Sequence, residues 1–403
     1  MRSKYVVAVL LATHAACDAG TKHQRPGEAA SEPVAHPATS PAGGAATSPA
    51  VKSAPPVTLA ALASVAGDPA AIARMASAGG SQAATMAWDV FLYLGWPAKG
   101  GERGVPDPSQ SLGATPAVWQ TWKESQETYL TGGVAPPPWD DGGPQGPATA
   151  ALTMIDGTTL QDVDGNPITY SVRLNQSTFD YILSRQLYGW TGQAALRQPG
   201  ATPVAFPAAA MEVKAAWKIL DPVKDRDRMN HYLVAQVRMA GQAGPTTLTV
   251  GLTGLHIMSK ALPNWVWITF EQVENPTTTG ARLLLPIDPA VAEVNAQFQA
   301  AVAGTPYAYY QLNGVQTEYT AGDTATLLAN TQIETSFQTS SSCITCHARA
   351  SVSAGATARL PLFSLAGGDL AGYIGAPDLT PFGPGKDQYS ALDFVWSMRE
   401  AKQ

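Results

Sequence analysis

Cysteine is scarce in this chain: 403 residues carry three, Cys17, Cys343 and Cys346. A disulfide-stapled scaffold is thereby excluded, and the fold must rest on its apolar core. Charge is sparse too, at 14% of residues with a net charge of −6. A mild excess of acid argues against a nucleic-acid partner, whose binders carry a basic patch. After the first few residues no stretch of about 20 apolar residues occurs, the length a bilayer-spanning helix needs. Glycine-rich phosphate loops, a zinc-protease helix motif and a nucleophile elbow are all missing, so hydrolase chemistry has no motif to stand on.

Two of the three cysteines are placed to do chemistry. Cys343-Ile344-Thr345-Cys346-His347 is the C-x-x-C-H pattern by which a polypeptide takes one haem c covalently. Each thiol adds to a haem vinyl group, and the adjoining imidazole of His347 is the expected proximal iron ligand. A structural zinc site would want four ligands, and the remaining cysteine is at the far end of the chain. A redox dithiol would open a helix after a strand, whereas Leu327, Leu328, Ile333 and Phe337 are spaced as a helix running into the motif.

The N-terminus points to export. Met1-Arg2-Ser3-Lys4 is positive, Tyr5 to Ala12 is apolar and short, and Thr13-His14-Ala15-Ala16 precedes Cys17, the layout of a signal peptide over residues 1–17. Haem c is attached outside the bacterial cytoplasm, so a periplasmic location agrees with the motif. Ala15-Ala16-Cys17 resembles a lipoprotein signal, in which the cysteine is lipidated and anchors the protein to a membrane. His14 stands where that signal has an aliphatic residue, and the alternative is a cysteine removed with an ordinary leader. Residues 18–57 are rich in Ala, Pro, Ser and Gly without apolar period, a composition expected to stay disordered as a tether. Such a segment reaches roughly 35 Å.

Three regions follow, and together they predict an α+β fold. Residues 58–148 read as helical, with Ala87-Trp88-Asp89-Val90-Phe91-Leu92-Tyr93-Leu94 the strongest run. Residues 149–290 switch to period two, the pattern of half-buried strands in a mainly antiparallel sheet. Met211, Val213, Ala215, Trp217 and Ile219 alternate with Glu212, Lys214 and Lys218; Leu233, Ala235, Val237 and Met239 alternate likewise, with His231 on their face. A third strand is expected to set Leu248, Val250, Leu252, His256 and Met258 on one side, and Pro263-Asn264 turns it into Trp265 to Phe270. Asn175 is placed to cap a helix carrying Phe179, Ile182, Leu183 and Leu187. Residues 291–403 hold the motif and close on Ala391 to Met398, apolar at helical spacing. A helix leading into C-x-x-C-H, a loop-rich stretch and a closing aromatic helix resemble a small, mostly helical class I cytochrome c domain over this last quarter. That resemblance implies a distal methionine after the motif, yet none lies between His347 and Met398, and Met398 reads as core.

Attention therefore falls on His256 and Met258, two positions apart on one strand, as candidate distal ligands or pocket residues. His231 follows the charged run Lys224-Asp225-Arg226-Asp227-Arg228, which reads as a solvated loop, and is the weaker candidate. A wider resemblance rests on Ala87-Trp88 with Gly95-Trp96-Pro97, Val213 to Trp217, Gly254-Leu255-His256-Ile257 with Lys260, Trp265-Val266-Trp267 with Thr269-Phe270-Glu271, Asn330 to Glu334, and Asp393 to Ser397. These stretches resemble a group of exported bacterial monohaem cytochrome c family proteins. The resemblance implies one architecture spanning sheet and haem segment and a pocket role for His256, but no particular reaction.

The leading functional expectation is electron transfer to or from a redox partner protein. The alternative is a haem enzyme, peroxidase- or oxygenase-like, with an open distal side, His256 as base and Lys260 or Arg238 as charge partner, or Glu271 in its place. Trp265, Trp267 and Trp217 are candidates for an electron relay, although aromatics at strand spacing are more often core. A third class is a tethered haem sensor whose sheet docks a partner.

Overall fold

Helices and strands of the chain form where local chemistry stops and starts them. The computed structural model describes residues 57–141, 150–151, 165–198, 200–241, 244–275, 285–334, 337–353, 360, 374–382 and 389–403; the expected signal peptide, Cys17 and the tether up to residue 56 lie outside them, while Val57 packs against the core. Helix α1 (Leu59–Ala66) is capped by the Thr58 hydroxyl, and α2 (Pro69–Ala78) by Asp68 with proline in its first turn, both standard N-terminal devices. The apolar α3 (Gly80–Leu94) follows. Strand β1 (Lys123–Glu124), helix α4 (Ser125–Thr128), strands β2 (Ala150–Ala151) and β3 (Thr169–Leu174), and helices α5 (Gln176–Ser184) and α6 (Trp190–Ala195) come next. Asn175 caps α5 as its sequence suggests, accepting from Thr178 N, and also accepts from Met211 N at 3.0 Å.

The main sheet adds β4 (Met211–Ile219), β5 (Val234–Gly241), β6 (Gly244–Ser259), β7 (Val266–Gln272) and β8 (Tyr310–Gln316), with α7 (Pro289–Ala301) before the last strand. Its order is β1-β3-β4-β6-β7-β8, with β2 beside β3 and β5 beside β6, and its pairs are antiparallel. The expected α+β architecture with a mainly antiparallel sheet is present. The described residues belong to one compact unit that begins at Lys52.

One face of the sheet carries the larger core. Helices α3 and α7 lie on it: the Trp88 ring stacks on Phe298 at 5.3 Å and Phe91 on Phe270 at 4.1 Å. The Trp88 indole N–H donates to Asn295 at 2.8 Å, and Asn295 in turn donates to the Leu312 carbonyl, so the buried polar groups are paired.

The opposite face is covered as well, which corrects the half-buried expectation. Glu212, Thr269, Glu271 and Gln316 are all buried. The polar half of the alternation meets a second layer of chain and not water. That layer is the segment that carries C-x-x-C-H: strands β9 (Thr320–Ala321) and β10 (Thr324–Ala325), the five-residue helix α8 (Cys343–His347), and strands β11 (Ser351–Ser353) and β12 (Tyr389–Ala391).

A single extra residue decides what faces that layer. In the β4–β6 ladder Ala216 pairs with Gly254 and Trp217 with Leu252, leaving Thr253 as a bulge. A one-residue insertion flips every later side chain to the other face. Val250 and Leu252 pack into the larger core before the bulge, and Leu255 and Ile257 after it. His256 and Met258 therefore do not share a stripe with Leu252 as the alternation predicts; they turn to the motif side, where Met258 packs with Trp267 and Ile344.

Three further expectations are corrected. Residues 327–334, the described start of the helix expected to reach Phe337, are irregular, because Asn330 and Glu334 spend their polar groups on the sheet and on each other. Ala391 to Met398 is the end of β12, a tight turn and a 3-10 helix over Trp396–Glu400; Met398 is fully buried core. His231 ends a 3-10 helix, stacks on Tyr309 at 3.7 Å and bonds Glu274 at 2.7 Å, away from the strand face assigned to it. Its neighbour Asp225 is buried and paired with Arg228 at 2.6 Å, so that charged run is not wholly solvated.

Candidate functional site

Helix α8 is short because its ends are held from outside. Its second residue, Ile344, donates its backbone N–H to the Gln316 side chain at 3.1 Å, and the Gln316 amide donates to the Ser342 hydroxyl at 2.9 Å. The edge strand β8 thus satisfies an N–H that a helix start leaves orphaned. Ile344 is fully buried in the apolar cluster that also holds Met258 and Trp267, and the Trp396 indole donates to the Cys346 carbonyl at 3.2 Å.

Cys343 and Cys346 sit three positions apart on this turn and so lie on adjoining parts of one helix face. Both are free thiols. Burial pushes Cys343 well above the ordinary thiol range and Cys346 up to about 12, and the carboxylate of Glu334 adds to the rise. Neutral thiols are poor nucleophiles toward disulfides, which counts against a reactive dithiol. Among the described residues no group of three His, Cys, Asp or Glu side chains is arranged to hold a metal ion.

His347 ends α8 and is oriented by the C-terminal turn. Its Nδ1 lies 2.8 Å from the Phe394 carbonyl; a carbonyl only accepts, so Nδ1 carries the proton and Nε2 keeps its lone pair. Burial pushes His347 down to about 3, against the raising effect of that hydrogen bond, and the ring is neutral at physiological pH. Trp267 packs beside it, ring centroids 4.5 Å apart.

The carbonyl that orients His347 belongs to a strained turn. Asp393 and Phe394 have φ of 47° and 70°, the left-handed region that non-glycine residues seldom adopt. The Asp393 carboxylate clamps the turn, accepting from Lys260 Nζ at 2.6 Å and from Phe206 N at 2.8 Å. Lys260 is therefore engaged at the Asp393 turn and is not the charge partner of His256 that the sequence suggests.

Facing α8 across the layer is a row from neighbouring strands. Lys214 on β4 pairs with His256 on β6, which pairs with Thr269 on β7. His256 Nε2 is buried and makes no hydrogen bond; Glu334 Oε1 lies 3.4 Å from it, within ion-pair distance of a protonated ring. Glu334 is fixed by the Asn330 backbone N–H at 2.8 Å, and Asn330 donates to the Phe270 carbonyl on the sheet. Lys214 Nζ lies 5.2 Å from the Tyr170 ring centroid. Burial lowers the Lys214 amine, and the Glu334 carboxylate offsets part of that effect.

Several sequence candidates fall elsewhere. Glu271 shares the motif-side face, but its carboxylate is consumed by Thr331 N at 3.0 Å and the Gln311 amide at 3.2 Å. The Arg238 side chain lies outside the described residues. Trp217 stacks on Trp119 in the larger core while Trp265 and Trp267 belong to the motif-side cluster, so the three do not form one relay. Lys214, Gln316 and the Phe394 carbonyl were not singled out by sequence; the signal for Lys214 was a charged residue in mid-strand, which reads as solvent-facing unless both faces of the sheet are covered.

No protein-family model, no curated protein and no solved structure matches the chain. What the arrangement offers is carried by its own residues: two neutral thiols on one helical turn, an imidazole with a free Nε2, and an amine, an imidazole and a carboxylate opposite.

Proposed function

We propose that this protein is a periplasmic monohaem c-type cytochrome whose working role is electron transfer with a redox partner protein, held near a membrane if Cys17 is lipidated. The observation that carries the reading is His347: its Nδ1 is engaged by the Phe394 carbonyl at 2.8 Å, the second-sphere contact that orients a ligating histidine and leaves Nε2 to bind metal. Cys343 and Cys346 would hold the group. Their two S–H groups would add across the two vinyl groups as thioethers, an addition that needs no oxidant. Haem so bound supplies one-electron chemistry, its potential set by ligands and burial.

The chain's residues would do the rest. Ile344, Met258 and Trp267 supply apolar wall, and Trp267, in contact with His347, is a bridge between the ligand ring and the β6–β7 turn, where its indole donates to the Asn264 carbonyl at 3.0 Å. The class I likeness is kept for this local unit, one turn bearing both thiols and the histidine.

A second reading, a haem enzyme with an open distal side, is favoured by one observation: the buried, unbonded Nε2 of His256, with Glu334 and Lys214 beside it. Reduced protein matured with haem and exposed to carbon monoxide separates the two. A spectrum that ignores the gas supports two protein ligands and electron transfer, and His256→Ala should then convert it to a five-coordinate or water-ligated form. Rapid binding supports the open side. Protein that takes up no haem defeats both readings.

A further inference from the structure

A carboxylate and an imidazole held largely out of water at one spot need a reason, because both lose hydration there. The Glu334 and His256 side chains are 12% and 18% exposed and 3.4 Å apart. We propose that Glu334 is the positioning residue of His256: its carboxylate holds the Nε2 edge of the ring, leaves Nδ1 as the nitrogen that can meet iron, and lowers the reduction potential of the centre. The proposal rests on the electron-transfer reading with His256 as second ligand, and it names what tunes that ligand.

Three observations carry it. The first is a closed loop of contacts that fixes the carboxylate. Glu334 Oε2 accepts from Asn330 N at 2.8 Å, and Glu334 N donates to the Asn330 carbonyl at 2.9 Å. The Asn330 amide donates to the Phe270 carbonyl at 2.9 Å and to the Thr269 hydroxyl at 3.3 Å, and Thr269 is the cross-strand partner of His256. Gly254, two residues before His256, leaves the space: a Cβ there would stand 2.8 Å from Asn330 Oδ1. The strands that carry the imidazole thus also carry the brace that sets Glu334 beside it. The second is the choice of partner. Among the described residues no lysine or arginine lies within ion-pair distance of Glu334, and Lys214, the cross-strand neighbour of His256, lies against the Tyr170 ring. A carboxylate kept only for stability would take a cation, and this one takes the imidazole. The third is the division of the ring. Nε2 is the buried nitrogen that faces the carboxylate, and Nδ1 is left for a metal. A carboxylate on one nitrogen raises the ligand strength of the other, and the low exposure limits solvent screening. Ferric iron is then favoured over ferrous, which is a lower potential.

The test is an optical redox titration of full-length holoprotein. Glu334→Gln keeps an acceptor for Asn330 N and removes the charge. It should raise the potential by about 59 mV, a tenfold fall in the ferric-to-ferrous ratio at fixed potential. Loss of the low-spin spectrum in the same variant would show the carboxylate holding the ring on the iron, the same role in stronger form. In a His256→Met background, where the ligand has no N–H to donate, Glu334→Gln should lose most of its effect on the potential. Gly254→Ala displaces Asn330 with the charge intact; it should also raise the potential, and it decides the question if Glu334→Gln fails to fold. A potential equal to wild type in Glu334→Gln, or an equal rise with and without His256, would overturn the proposal and leave electron transfer standing. A low-spin spectrum that survives His256→Ala means another side chain is the second ligand, with the same consequence. Rapid carbon monoxide binding by wild type overturns the two-ligand reading and the proposal together.

Discussion

Replacing Asp393 with alanine should release the turn that presents the Phe394 carbonyl to His347. Two consecutive non-glycine residues at φ of 47° and 70° store about 1–2 kcal/mol each, and such strain persists only where surrounding contacts impose it. The carboxylate supplies two of those contacts, to Lys260 at 2.6 Å and to Phe206 N at 2.8 Å. The Lys260 and Asp393 side chains are only 13% and 9% exposed, so solvent screening is limited. A hydrogen bond to a charged group is worth about 1.5–3 kcal/mol and leaving a backbone N–H unpaired about 1 kcal/mol more. Relaxation of the turn returns part of this, and a net loss of about 3 kcal/mol is expected for Asp393→Ala. Asp393→Asn keeps an acceptor for Phe206 N and a residue type that tolerates the left-handed region, and should lose about half as much. The assay is the urea midpoint at unchanged slope. At Phe394 the usual order inverts: glycine relieves φ of 70°, which it adopts without a Cβ penalty, so Phe394→Gly should be more stable than Phe394→Ala by about 1 kcal/mol. An Asp393→Ala protein within about 0.5 kcal/mol of wild type, roughly the additive error of such comparisons, or a glycine variant no better than alanine, would refute the reasoning.

Burial pushes Glu212 up to about 8, with Glu400 adding and the Ser397 hydroxyl opposing. Between the ordinary Glu range and that value the folded carboxyl holds a proton that the unfolded one has lost. Its contribution is complete at low pH and disappears as pH rises through about 8, a loss of up to about 5 kcal/mol; Glu212→Gln should therefore match wild type near pH 5 and exceed it near pH 9 in denaturant midpoint. Gly254→Ala would put a methyl 2.8 Å from Asn330 Oδ1, displacing the side chain that ties Glu334's anchor to the sheet. A cost of about 2 kcal/mol is expected, read by thermal unfolding, and an unchanged midpoint would mean that Asn330 is free to move.

The motif, the period-two strands β4 to β6 and the capped helix α5 were legible because each rests on local rules: spacing of thiols, alternation and an Asn at a helix start. The faces were not. Thr253 looks like any strand residue, yet as a bulge it reverses His256 and Met258, and nothing in the alternation before it announces the reversal. Leu327, Leu328 and Ile333 have helical apolar spacing, but Asn330 and Glu334 find better partners on the sheet than on a helix surface. Asp393 and Phe394 break the closing helix with left-handed residues stabilised by Lys260 and Phe206, which are distant in sequence. Lys214 was passed over because a charged residue in alternation reads as solvent-facing, a rule that fails when the second face is buried.

The most direct test of the central claim is the intact mass of the exported full-length protein, produced with a haem c maturation system, beside its pyridine haemochrome spectrum. One covalent haem per chain with a c-type spectrum, lost when Cys343 and Cys346 are both replaced by alanine, is the predicted result. An unmodified mass, or a full haem load that survives removal of both thiols, would contradict it.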